Sequence, residues 1–211
     1  GPSTPIALGQ TITITGLSAG TYTFVITDST GACSEIITII IDTHIPSCCD
    51  AAIDPQYVHI TDQLDPLANI TSNTIWDGKY YIGDGVTVVV ANGAVLDITN
   101  VDVVFGECAG IHFTEQAYLR ANNSVFRPCN VDGTWKGLEF DGSAGQSTFD
   151  NMINESTFKN AQVALYFRQG ADGVVSSNLF SNCNYGVRVD NNKGFNHPIS
   201  GNRFVIEEYF P

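Results

Sequence analysis

At 211 residues, the chain has room for one large domain or two modest ones. Its 22 acidic against 9 basic residues give a formal net charge of -13, which excludes nucleic acid or an anionic membrane surface as the expected partner. Only 15% of residues are charged, and the abundance of Gly, Asn, Thr and Val suits short strands and tight turns and excludes wholesale disorder.

The chain opens on Gly1-Pro2, which reads as the remnant of a cleaved tag, so a piece of a longer polypeptide is expected. No apolar run approaches the ~20 residues that span a bilayer. The longest, at 36–41 (IITIII) and 86–91 (VTVVVA), have strand length, and no membrane insertion is expected.

Residues 10–41 alternate with period two. Ile12 and Ile14 sit among Thr11, Thr13 and Thr15; a turn follows at Gly16 to Gly20, then Tyr22 and Phe24 to Ile26, a turn at Asp28 to Gly31, and Ile36 to Ile41. This predicts three strands of an antiparallel meander, with the unit bounded at 3–45. The stretch LSAGTYTFVITDSTGACSEIITIII (17–41) resembles the closing half of the Ig-like repeats of large gliding-motility and surface adhesins of Bacteroidota. That resemblance implies an extracellular or cell-surface location. Residues 46–75, with Asp54-Pro55 and Asp65-Pro66, are expected to form a linker and cap, because an open stack of strands leaves backbone groups unpaired.

From 76 to 211 the chain repeats itself every 21 to 24 residues, with one longer interval. Phe105, Phe126, Phe158, Phe180 and Phe204 mark the period, and Cys108, Cys129, Ala161 and Cys183 follow the first four by three residues. The apolar pairs Ile111/Phe113, Leu138/Phe140, Leu165/Phe167 and Val187/Val189 recur, preceded by Gly110, Gly137, Ala164 and Gly186. Val88/Val90, Ala94 and Leu96 align with Ile111/Phe113, Ala117 and Leu119. Such a period, made of short alternating strands with Asn/Gly corners, predicts an all-β fold: a right-handed parallel β-helix behind the small antiparallel unit. Equivalent side chains should then stack ~4.8 Å apart, Asn160 over Asn182 at one corner among them. The segment YYIGDGVTVVVANGAVLDITNVDVVF and the later GTWKGLEF resemble the pectate-lyase-like β-helix regions of secreted Bacteroidota proteins, over roughly residues 74–206.

Six cysteines point to an oxidising compartment, and without a CxxC no structural zinc site is expected. If Cys108 and Cys129 share a column on consecutive turns, their Cα atoms fall near ~5 Å, within disulfide range, with packed thiols as the alternative. Cys183 should lie roughly 10 Å from Cys129, too far to bond. Cys33 is expected to close onto Cys48 or Cys49.

Alternation places His112 and Thr114, Glu139 and Asp141, Tyr166 and Arg168, and Arg188 and Asp190 on the outer face of one sheet. The fold resemblance implies a polysaccharide lyase there, with Glu139 and Asp141 holding calcium and Arg168 or Arg188 abstracting a proton. Against it stands cross-strand charge pairing of Asp141, Arg168 and Asp190, and the high pKa of any arginine base. The leading expectation is a non-catalytic, monomeric surface module that binds a glycan or another surface component. Trp135, Tyr166, Tyr185, Arg188 and His112 are its candidate ligand contacts. A phage tail-fibre segment is a third reading. No cofactor is expected; calcium has a weak candidate ligand in Asp190.

Overall fold

The structure is a computed structural model and describes residues 20–27, 34–41, 50–91, 93–130, 132–142, 151–190 and 197–206. The chain divides into two compact units, Gly1–Ser47 and Cys48–Pro211.

In the first unit, strands Gly20–Thr27 and Ser34–Ile41 pair antiparallel, with Gly20 opposite Ile41 and Thr27 opposite Ser34. Their β-branched, alternating composition favours this pairing. The third strand, expected at 11–15, lies outside the described residues.

The second unit is a parallel β-solenoid of about six coils. Each coil contributes one strand to each of three sheets. Sheet I stacks Val58–Ile60, Lys79–Ile82, Asp102–Phe105, Val125–Pro128, Thr157–Lys159, Leu179–Ser181 and Arg203–Val205. Sheet II stacks Asn69–Ile70, Thr87–Val90, Gly110–Phe113, Trp135–Asp141, Ala161–Arg168 and Tyr185–Asp190. Sheet III stacks Thr74–Trp76, Val95–Thr99, Tyr118–Asn122, Asn151–Asn154, Gly173–Ser176 and Ile199–Ser200.

The parallel pairing begins at Val58, so residues 58–76 form a first coil inside the segment expected to be linker and cap. The short helix Asp50–Ile53 buries Ala51 against Tyr81 and Val104, on the outer side of sheet I. Tyr57 follows it, and its hydroxyl donates to Asp102 at 2.7 Å. Arg127 clasps the same carboxylate through Nε at 3.1 Å and a terminal nitrogen at 3.0 Å. The segment before the first coil is thereby tied to two strands of sheet I on one face.

The inward columns follow the repeat. Val88, Ile111, Leu138, Leu165 and Val187 are in register, as are Val90, Phe113, Phe140, Phe167 and Val189. Phe126, Phe158, Phe180 and Phe204 stack in sheet I with ring centroids 4.7, 5.1 and 4.9 Å apart. Phe105 is not in that column. It pairs with Pro128, two residues past Phe126, and its ring stacks on Trp135 at 4.0 Å. The period-two repeat explains the slip, since a shift of two leaves the residue facing inward.

The same slip undoes the Cys108–Cys129 column. With Phe105 opposite Pro128, the backbone amide of Cys129 bonds to the Phe105 carbonyl, while Cys108 sits further along in an exposed left-handed turn (φ 56°). Cys108 and Cys183 are free, so the Cys108–Cys129 bond does not form, while Cys129 is itself disulfide-bonded. The pairing expected for Cys33 and Cys48 lies outside the described residues.

Corners repeat as strictly as strands. Asn100, Asn123, Glu155, Ser177 and Gly201 occupy one corner, all in the left-handed region. Asn160 and Asn182 share another, one coil apart, with φ of 51° and 53°. The inner polar ladder is different from the one the sequence suggested. Ser124, Ser156, Asn178 and Asn202 each accept, through a side-chain oxygen, the backbone N–H of the equivalent residue one coil earlier. This satisfies amides that the turn removes from the sheet ladder.

Candidate functional site: the outer face of sheet II

The outer residues of sheet II come together as alternation requires. His112, Glu139, Tyr166 and Arg188 form one column, and Asp141, Arg168 and Asp190 form the next. Arg168 reaches both acidic side chains of the preceding coil. Its terminal nitrogen lies 2.5 Å from Glu139 Oε1 and 2.9 Å from Asp141 Oδ1, and its Nε donates to Asp141 Oδ1 at 3.0 Å. His112 Nε2 lies 2.9 Å from the other Asp141 oxygen. In the next coil Asp190 accepts from Arg188 at 2.5 Å and from the Tyr166 hydroxyl at 2.6 Å.

These contacts set the protonation of the face. Burial works to lower the Arg168 pKa, but the Asp141 hydrogen bond and the charges of Glu139 and Asp141 outweigh it and hold the guanidinium above its usual value. The Asp190 hydrogen bond raises Arg188 in the same direction, and the Arg188 and Tyr166 hydrogen bonds push Asp190 down. Both guanidiniums are locked in the charged form. As proton-abstracting bases they are made worse, not better.

The aromatic candidates separate. Trp135 is fully buried, stacked on Phe105, with its indole N–H donating to the Lys159 carbonyl at 2.7 Å. It is a core anchor and cannot meet a ligand, which corrects its assignment as a contact. Tyr166 carries the Arg168 and Arg188 guanidiniums over its ring, 5.5 and 4.8 Å from the centroid. Tyr185 is the exposed platform, with 57% of its surface in solvent.

A groove of about 330 Å³ runs beside this network, lined among others by Thr87, His112, Lys136, Glu139, Gln162 and Tyr166. Two glycines open it. A Cβ at Gly110 would lie 2.8 Å from the Gly137 carbonyl oxygen, and one at Gly137 would fall on the Val163 carbonyl oxygen. Gly137 has φ +116°, and the register to the next strand shifts immediately after it. The Asn/Gly corners of the repeat do not include these two glycines. They are strand positions, where missing side chains let backbones close up and leave exposed Lys136 and Gln162 flanking a depression. Lys136 and Gln162 carry no sequence signal of their own, because only the bulge brings them to the groove.

A three-sheet parallel solenoid whose recurring outer residues form a grooved, charge-paired face defines a β-helix repeat domain. The chain belongs to the NosD family, a family of right-handed β-helices: its model, described as "Periplasmic copper-binding protein (NosD)", matches residues 51–209. No curated protein and no solved structure shows significant similarity to the chain.

Proposed function

We propose that the chain is a non-catalytic, extracytoplasmic recognition module that binds carbohydrate along the outer face of sheet II. The observation that carries this reading is the groove beside Gly137. It sets hydrogen-bond donors and acceptors from successive coils next to exposed Tyr185, on a face whose arginines are already paired with carboxylates. Sugar rings suit such a surface, since an aromatic face takes their C–H groups and polar side chains take their hydroxyls. The periplasmic description of the family supports a location outside the cytoplasm. Adhesion at a cell surface draws its support from the resemblance of 17–41 to adhesin repeats.

The family description carries copper, and the donor set here does not fit it. Copper favours thioether and thiolate sulfur when reduced and imidazole when oxidised. The chain has one methionine, Met152, which faces outward from sheet III between Arg120 and Val174. His59, His112 and His197 are each engaged with a different group: the Asp54 carbonyl, Asp141 and Asp172. Among the described residues, no group of three or more His, Cys, Asp or Glu could hold a metal ion. Asp190, the calcium candidate, is committed to Arg188 and Tyr166.

Two measurements test the reading. Glycan-array screening followed by calorimetry should find a saccharide whose binding weakens at least about tenfold in Tyr185→Ala and Lys136→Ala, with no ultraviolet-absorbing products from alginate or pectin. Turnover of either polymer, or indifference to both substitutions, overturns it. Cuprous or cupric ion should leave Tm unchanged, because only a ligand that binds the folded state raises it.

A further inference from the structure

Sheet III carries a second outward groove, of about 410 Å³, which the reading of sheet II does not use. By register Ile75, Asp97, Arg120 and Met152 form one outer column, and Val95 and Tyr118 the next. Ile75 is 75% exposed and Met152 46%. Large apolar side chains held in water in one column mark a contact surface.

The charge pattern narrows the ligand. Arg127 is held by Asp102, Arg168 by Glu139 and Asp141, and Arg188 by Asp190. Arg120 lines the groove, is exposed, and makes no ion pair or hydrogen bond among the described residues, although Asp97 lies directly across from it in register. An unpaired guanidinium presents its planar fork to a carboxylate. Asp97 accepts from the Thr99 hydroxyl through Oδ1 at 3.0 Å, and its Oδ2 is open to a ligand donor. Gly93, in the left-handed region at φ +78° with nothing within 4 Å of a built Cβ, leaves the groove mouth clear.

We propose that this groove binds a carboxylated sugar residue of a polysaccharide. The carboxylate lies on Arg120, a ring hydroxyl donates to Asp97, and the apolar face of the ring rests on Tyr118 and Ile75. A purely apolar ligand would leave both charges unanswered, and a neutral sugar would leave the guanidinium unused. The site is independent of the sheet II face and stands or falls separately.

The test is calorimetric titration of the whole chain with tri-galacturonate and with its methyl ester, which keeps the rings and removes the charges. The free acid is expected to bind and the ester to bind roughly tenfold more weakly or worse, with the acid's affinity falling as salt rises. Arg120→Gln should weaken the acid to the same degree at unchanged Tm, since Arg120 supports nothing in the fold. Arg120→Lys should recover part of the affinity, and Arg203→Gln, at an exposed arginine on the last strand of sheet I that lines neither groove, should have no effect. Equal affinity for acid and ester, indifference to Arg120→Gln, an equal loss on Arg203→Gln, or no binding at concentrations on the order of 1 mM overturns the proposal.

Discussion

Gly137 and Asn178 show how much single side chains carry in a stacked fold. A Cβ at 137 meets the Val163 carbonyl, and φ +116° is strained for any L side chain, so Gly137→Ala should cost about 2 kcal/mol or more in urea unfolding and close the sheet II groove. Asn178 is buried, donates to the Ile153 carbonyl at 2.8 Å and accepts the Ser156 amide at 2.9 Å. Asn178→Ala orphans both groups, and a loss of about 1–3 kcal/mol is expected by the same measurement. Tyr57 is pushed up to about 12, first by burial and then by its hydrogen bond to Asp102. Its folded pKa lies above the unfolded one, so its contribution is complete below pH ~10 and lost as pH rises toward about 12. Spectrophotometric titration should show one late-ionising tyrosine, and Asp102→Asn should bring it down.

At the scale of the element, the ring column of sheet I is graded from core to edge. Phe158 is fully buried between Phe126 and Phe180, whereas Phe204, on the last strand, is 58% exposed. Phe158→Ala should therefore cost about 3–5 kcal/mol and Phe204→Ala much less, measured as the shift in denaturation midpoint. Reversal of that order would mean that the stack is not the stabilising unit. The strands of sheet II divide their work by face. Inward positions hold Leu138, Phe140, Leu165 and Phe167, each at most 1% exposed, while the alternate positions carry the paired charges. Because the backbone fixes that division, the outer residues can change without disturbing the core.

For the whole solenoid, each coil rests on its neighbours alone, so stability is expected to fall toward an end. The strands Tyr185–Asp190, Ile199–Ser200 and Arg203–Val205 contain no fully buried residue, in contrast to Trp135–Asp141 and Ala161–Arg168. Hydrogen exchange should show greatest protection in Trp135–Asp141 and Ala161–Arg168 and least in Ile199–Ser200 and Arg203–Val205. Uniform protection would show that the last coil is as well supported as the middle ones.

The alternation and the recurring pairs Ile111/Phe113, Leu138/Phe140, Leu165/Phe167 and Val187/Val189 were enough to determine a parallel stack and to name which residues share an outer face. Those features are periodic, and period is a one-dimensional property that survives without coordinates. The alignment of Phe105 with Phe126, the Cys108–Cys129 column and the exposure of Trp135 were not determined, because a slip of two residues preserves every inward-outward assignment while moving each contact along the strand. Only the tertiary structure decided the register, the bulge at Gly137 and the start of the first coil at Val58. It also decided that Arg168 pairs with Glu139 and Asp141 of the preceding coil while Arg120 makes no pair with Asp97, since such pairing depends on side chains meeting across coils that the chain order separates by more than twenty residues.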